Sequence, residues 1–352
     1  MAAPTMLEVA KRANVALSTV SYALSGTRPV SEETRLRVSQ AMAELGYQPH
    51  ALARGLASKR SHIIALLFPA LQRGFGATEL EFVTSAAEAA QSLGYHLVLW
   101  PTEIHGVAEL QQLVRQSLVD GVLVMEVRIG DERIELLRQI GVPFSMIGRP
   151  AVASDISFAD IDFEQTTRDA VTYLVQLGHR QIAFLNHSEE AFNAGYGPSV
   201  RAAAGFDEAA RAAGLTPISR FCGDTVLAGQ EVFEELIRTH REVTALIIHN
   251  ERAVVGVMQA AGARGWRIPD DLSLVSLVSS ARVAEMTLPP LTALTPQSAA
   301  LGRLGVEMLV EQLEDGHHEL VQRLLPCRLV VRGSTGPSPD IARRSRPNAG
   351  TR

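Results

Sequence analysis

Leu17, Ser18, Ser21 and Tyr22 stand at positions i, i+1, i+4 and i+5 of a short stretch. On a helix they share one side, and Val20, Ala23 and Leu24 take the other. A patch of two hydroxyls, one aliphatic and one aromatic side chain holds no nucleophile–base pair. Its chemistry is contact with the edges of bases in a major groove. The elements that must present it are legible around it. Thr5 and Glu8 form a T-x-x-E capping box, Val9, Ala10 and Ala13 follow as an apolar helical face, and Asn14 supplies a turn. A second helix spans about 17–24, and a third runs from Glu32 to Leu45 and stops at Gly46. Three short helices with so tight a first turn make a helix-turn-helix unit whose second helix enters the groove.

Periodicity alone leaves a plain three-helix capping bundle equally open. Charge decides between them. Residues 1 to 60 carry eight basic side chains (Lys11, Arg12, Arg28, Arg35, Arg37, Arg54, Lys59, Arg60) against four acids (Glu8, Glu32, Glu33, Glu44), a head of +4. The whole chain carries −5, so the remainder holds −9. A basic head on an acidic body is the asymmetry of a domain that docks on phosphates beside one that does not.

Beyond residue 60 the pattern alternates. Near-continuous apolar runs at 62–68, 95–100, 121–125 and 142–147 are separated by helical periodicity near 78–93, 106–118 and 131–140. The alternation repeats with runs at 181–185, 244–248 and 272–277 between helices near 164–177, 198–213, 228–239 and 250–264. Apolar strands between helices imply parallel sheets covered on both faces. The expected fold class is therefore α/β: a three-helix head, then two lobes with a cleft at the carboxyl ends of their strands, and 291–331 returning to both lobes.

A free-standing solute-binding protein or an enzyme could share such a body. The first 30 residues read as capped, polar-interleaved helices, not as a basic start followed by an apolar core and a cleavage site. The chain's lysines are Lys11 and Lys59, preceded by Ala10 and Ser58, so no G-x-x-x-x-G-K-[ST] loop exists. Gly74-Phe75-Gly76 is not continued as G-x-G-x-x-G because position 79 is Glu, and neither H-E-x-x-H nor G-x-S-x-G occurs. The expectation is no enzyme, no cofactor and no metal. Cys222 and Cys327 are too far apart for a C-x-x-C motif and read as buried thiols in a reducing cytoplasm. His317-His318 reads as a solvated turn. No apolar run reaches membrane-spanning length. The stretch from Gly333, rich in Pro and carrying Arg343, Arg344 and Arg346, reads as a disordered tail.

Several segments in fixed order resemble the LacI/GalR family of bacterial transcription regulators. Val9-Ala10-Lys11-Arg12-Ala13, Thr19-Val20-Ser21, Val30-Ser31-Glu32-Glu33-Thr34-Arg35 and Glu44-Leu45-Gly46-Tyr47 follow its headpiece; Leu177-Gly178-His179-Arg180-Gln181-Ile182-Ala183 and Pro289-Pro290-Leu291-Thr292 follow its effector domain. The resemblance covers about residues 5 to 335. It implies a cytoplasmic, nucleoid-associated repressor that binds a palindromic double-stranded DNA operator as a homodimer under a small-molecule effector, a carbohydrate being the family's commonest. It implies a headpiece at 1–48, a hinge helix and linker at 49–60, an effector and dimerisation domain at 61–335, and a tail at 336–352. Lobe one would hold 61–160 and 293–320; lobe two, 161–292 and 321–335.

Carried over by position, base reading falls on Leu17, Ser18 and Tyr22. Phosphate contacts fall on Thr5, Thr19, Ser21, Ser31, Thr34, Tyr47 and His50, which would place the head on the backbone without reading sequence. Ala53, Arg54 and Leu56 fall on the minor-groove segment, with Leu56 as the wedge between base steps. Effector contacts fall on Phe68, Pro69, Arg73, Arg149, Gln165, Tyr196, Arg201, Asn250 and Glu251. The chain departs from the family at Ala16, where a serine usually caps the reading helix, at a cost on the order of 1 kcal/mol. It departs at Tyr22, where many relatives place arginine, and at Leu17, which can touch a thymine methyl but cannot donate to a base. Within Leu277-Val278-Ser279-Ser280 the family's ligand-holding aspartate is missing, and Arg201 lies one place from the expected arginine.

Overall fold

The computed structural model describes residues 4–25, 28–47, 60–68, 76–100, 118–315 and 319–340. The head consists of α1 (Met6–Ala13), α2 (Leu17–Ser25) and α3 (Glu32–Leu45). The capping box forms: the Glu8 amide donates to Thr5 Oγ1, and the Thr5 amide donates to Glu8 Oε2 at 2.6 Å. Asn14 turns the chain in the left-handed region, φ 53°, and Gly46 ends α3 at φ 64°. A small core of Val9, Ala10, Ala13, Val20, Val38 and Ala41 holds the three helices together, with Ala23 and Leu24 packed against it.

The body holds two six-stranded sheets. The first has the order β11-β5-β4-β3-β1-β2, all parallel, built from β1 (Ile63–Leu67), β2 (His96–Trp100), β3 (Gly121–Met125), β4 (Phe144–Ile147), β5 (Phe158–Ile161) and β11 (Gln322–Leu325). The second has the order β12-β10-β9-β8-β6-β7, parallel except for β12 against β10. Its strands are β6 (Ile182–Asn186), β7 (Ile218–Phe221), β8 (Ala245–Ile248), β9 (Ser273–Leu277), β10 (Thr292–Thr295) and β12 (Arg328–Val330). Central strands β3, β6, β8 and β9 are buried along their whole length, as sheets covered by helices on both faces require. One apolar cluster runs across both lobes, from Ile64 and Leu123 to Phe184 and Phe206.

Sheet membership shifts two expected crossings. Thr292–Thr295 pairs in the second sheet and Gln322–Leu325 in the first, the reverse of the expected assignment. Between them the helix Ser298–Asp315 packs on the first lobe, against the helix Ala77–Ser92. The chain therefore crosses between lobes after β5, after β10 and after β11. The expected tail also begins too early: Ser334 is fully buried, the Gly336 amide donates to Ser273 Oγ, and the Ser338 amide donates to the Leu177 carbonyl. Polar backbone anchors, invisible to a composition argument, hold this stretch on lobe two. The expected helix near 106–118 up to residue 117, the hinge at 49–59, His317-His318 and the tail beyond 340 lie outside the described residues.

Candidate functional site

In the head, α2 starts on backbone alone: the Ala16 carbonyl accepts from the amides of Thr19 at 2.9 Å and Val20 at 3.2 Å. Leu17 and Ser18 are exposed, Ser21 and Tyr22 half-buried on the same side, while Val20 is buried. Arg28 lays its guanidinium over the Tyr22 ring, 5.2 Å from its centroid, a cation–π contact. Ser31 caps α3 by accepting from the Thr34 amide, and its hydroxyl donates to Thr34 Oγ1 at 2.9 Å, so both hydroxyls sit at a helix start, where amides also favour anions. Thr5 is exposed at the other helix start, and Thr19 and Tyr47 are half-buried. His50, Ala53, Arg54 and Leu56 lie outside the described residues.

In the body, a cavity of about 150 Å³ opens between the lobes at the carboxyl ends of the strands. Phe68, Arg149, Tyr196, Arg201, Asn250 and Glu251 line it. Gln165 does not: its amide nitrogen donates to Asp169 and its oxygen accepts from Arg168, along the surface of the helix Phe163–Gln176. Pro69 and Arg73 lie outside the described residues.

The two lobes are fastened on either side of the cavity. On one side the Ile129 amide donates to the Gly195 carbonyl at 2.7 Å and the Gly197 amide to the Val127 carbonyl at 3.1 Å. A Cβ on Gly197 would stand 2.7 Å from that carbonyl, so the seam needs glycine there. Arg201 reinforces it, donating to the backbone carbonyls of Arg149 and Pro150 at 2.8 and 3.1 Å. On the other side Glu251 Oε1 accepts from Thr78 Oγ1 of lobe one and from Ser279 Oγ and the Ser280 amide of lobe two.

The walls also hold groups that the sequence did not single out. Glu79, Glu126, Asp160, His187, Asp224, His249 and Arg252 line the cavity. Burial pushes Glu79 up to about 7, helped by the negative charges of Glu126 and Glu251. Burial likewise pushes Asp160 up to about 7, outweighing the guanidiniums of Arg201 and Arg149 that pull it down. Its Oδ1 accepts from the Ile161 amide; its Oδ2 lies 3.4 Å from Arg149 Nε without a hydrogen bond. His249 is held well below the ordinary histidine range by burial and by the neighbouring His187, so it stays neutral. Its Nδ1 has no hydrogen-bond partner among the described residues. Glu126, His187 and His249 directly follow β3, β6 and β8, so the rule that ligands gather at strand ends could have found them. Asp160 lies in the four-residue strand β5, too short for its periodicity to single out the charge. Glu79 gave no signal of its own. Cys222 and Cys327 are buried with thiols pushed up to about 12, and among the described residues no cluster of His, Cys, Asp and Glu could hold a metal ion.

A helix-turn-helix head on a body whose lobes close over a cavity with charged groups in an apolar lining is the build of a DNA-binding transcription regulator with a ligand-binding domain. Residues 5–50 match the family model for bacterial regulatory proteins of the lacI family, and residues 171–335 match a periplasmic binding protein-like domain. The head is thus a LacI-type helix-turn-helix domain, the body is periplasmic binding protein-like, and the chain's relatives are LacI-family transcriptional regulators. It is 29% identical to catabolite control protein A of Priestia megaterium, over 94% of this chain and 99% of that protein. It is 28% identical to the transcriptional repressor CytR of Escherichia coli K12, over 95% and 96%. Among solved structures, a lac repressor dimer bound to operator and the anti-inducer ONPF matches with a TM-score of 0.78 at 27% identity, over 95% of this chain and all of that one. The regulator CelR in complex with cellobiose matches at 0.69 and 27%, over 94% and 99%. No described helix is long and apolar enough to cross a membrane.

Proposed function

We propose that the protein is a cytoplasmic repressor, not an enzyme, that grips a palindromic operator as a homodimer and is released or locked by a small polar effector of the carbohydrate class. The observation that carries this is the cavity closed by contacts from both lobes, in a chain whose other unit is a DNA-binding head. Leu17, Ser18 and Tyr22 read bases; Thr5, Thr19, Ser21, Ser31, Thr34, Tyr47 and His50 hold phosphates; Ala53, Arg54 and Leu56 enter the minor groove. Phe68, Arg149, Tyr196, Arg201, Asn250 and Glu251 meet the effector, with Pro69 and Arg73 assigned there from sequence alone. The working units are the head at 1–48, the hinge at 49–60 and the sensing body from 61.

Dimer contacts are assigned to the outward side of the helix Ala77–Ser92, where Leu80 is exposed. The short helix Ala281–Glu285 packs beside it and leads to Met286 and Leu288, exposed by 75% and 92%. Such a surface draws on both lobes, so lobe closure and dimer geometry are coupled. The effector then acts through its differential affinity for the two arrangements.

Selection of bound duplexes from a random DNA pool, with and without sugars, tests the reading. Enrichment of an inverted repeat, with affinity altered by at least one sugar, is expected. Absence of any sequence enrichment would instead favour a solute-binding protein or enzyme with a similar two-lobed body.

A further inference from the structure

Three carboxylates, Glu79, Glu126 and Glu251, line the inter-lobe cavity. Glu79 Oε2 and Glu251 Oε2 both lie within 3.4 Å of the point where a Cβ on Gly76 would stand, so the two are close neighbours. Glu79 Oε2 is inaccessible to solvent and has no hydrogen-bond partner among the described residues. Glu251 is answered by two hydroxyls and an amide, and no ion pair to either residue occurs among the described residues. Among the described residues, the guanidiniums that line the cavity are directed elsewhere: Arg149 to Glu164 and Asp160, Arg201 to backbone carbonyls, Arg252 toward the Asp224 carbonyl. A further group, more than nine-tenths buried, also lines the cavity with an atom that has no hydrogen-bond partner among the described residues: His249 Nδ1.

A neutral hydroxyl could give Glu79 a hydrogen bond. It could not offset the repulsion between the Glu79 and Glu251 carboxylates, which Glu79 otherwise relieves only by taking up a proton. A protonated amine does both. We infer that the effector carries a cationic nitrogen beside hydroxyl groups, as an amino sugar does, and that its ammonium binds between Glu79 and Glu251. The hydroxyls then fall to Asp160, Arg149, His249 and Asn250. The inference rests on the assignment of this cavity as the effector site.

Calorimetric titration with glucosamine, galactosamine and mannosamine, each beside its N-acetyl derivative and its parent hexose, tests it. At least one amine should bind roughly tenfold or more tighter than both of its neutral counterparts, the scale of one hydrogen bond to a charged partner. In the Glu79→Gln protein that ratio should fall toward one. Equal or tighter binding of the neutral members, with a shift in operator affinity, overturns the amine and leaves the effector site standing. Binding by no member of the panel, with operator affinity unmoved, overturns both.

Discussion

The reading face of the head and the cavity of the body solve opposite problems. The head exposes small hydroxyls, Leu17 and Tyr22 on a helix whose inner side is pinned by Val20; its groups are adjacent in sequence and wait on the surface for a large, charged partner. The cavity gathers residues from Phe68 to Val278, buries many of them and leaves atoms such as His249 Nδ1 without a hydrogen-bond partner among the described residues. A surface site can be built from one periodic stretch. A closed site needs the ends of many strands brought together, and its chemistry is set by burial as much as by residue type.

That contrast is open to attack. Leu56→Ala should have the largest effect: if the wedge works only on the specific operator, specific affinity drops roughly 100-fold while nonspecific affinity barely moves, in keeping with a few kcal/mol per unstacked step. Equal losses in fluorescence-anisotropy titrations on both DNAs would remove the wedge. Next comes Glu79→Gln. Because burial raises the folded-state value to about 7, above the ordinary 4.5, Glu79 favours the folded state at pH below about 4.5, and that contribution is lost as pH rises to about 7. The variant should therefore match the parent near pH 4.5 and be more stable by about 2 kcal/mol at pH 8, read from denaturant unfolding of the body. A constant difference across that range would mean that Glu79 does not titrate there.

A smaller gain, about 1 kcal/mol, is expected from Ala16→Ser, which gives α2 the side-chain cap it lacks. Hydrogen exchange of the α2 amides should slow by roughly fivefold, and unchanged exchange would show that the backbone start suffices. The smallest change is Tyr22→Phe. The ring and its contact with Arg28 survive, so total affinity should stay within about threefold while preference at particular operator positions changes. An unaltered base-preference profile would take the Tyr22 hydroxyl out of direct readout.

The same contrast explains what was legible beforehand. The capping box at Thr5 and Glu8, the turn at Asn14 and the stop at Gly46 are local chemistry, and they were readable to the residue. The inner strands were readable from their apolar runs. The short strands Phe158–Ile161, Ile218–Phe221 and Gln322–Leu325 were not, because four-residue segments with one or two polar side chains carry too little periodicity. Gln165 was carried into the cavity by position and belongs instead to a helix surface. In the sequence Glu79 stands out only as the residue that breaks a glycine motif; nothing local says that its carboxylate lies beside those of Glu126 and Glu251.

The threefold crossing between lobes has a consequence for how the protein is made. Each sheet ends on a strand supplied by residues 322–330, so neither lobe corresponds to an uninterrupted piece of coding sequence. During translation the three helices of the head leave the ribosome on the order of tens of seconds before either sheet can close. For that interval the nascent chain carries a folded nucleic-acid-binding module on an unfinished sensor, and a stop codon anywhere between β5 and β12 would make that state permanent.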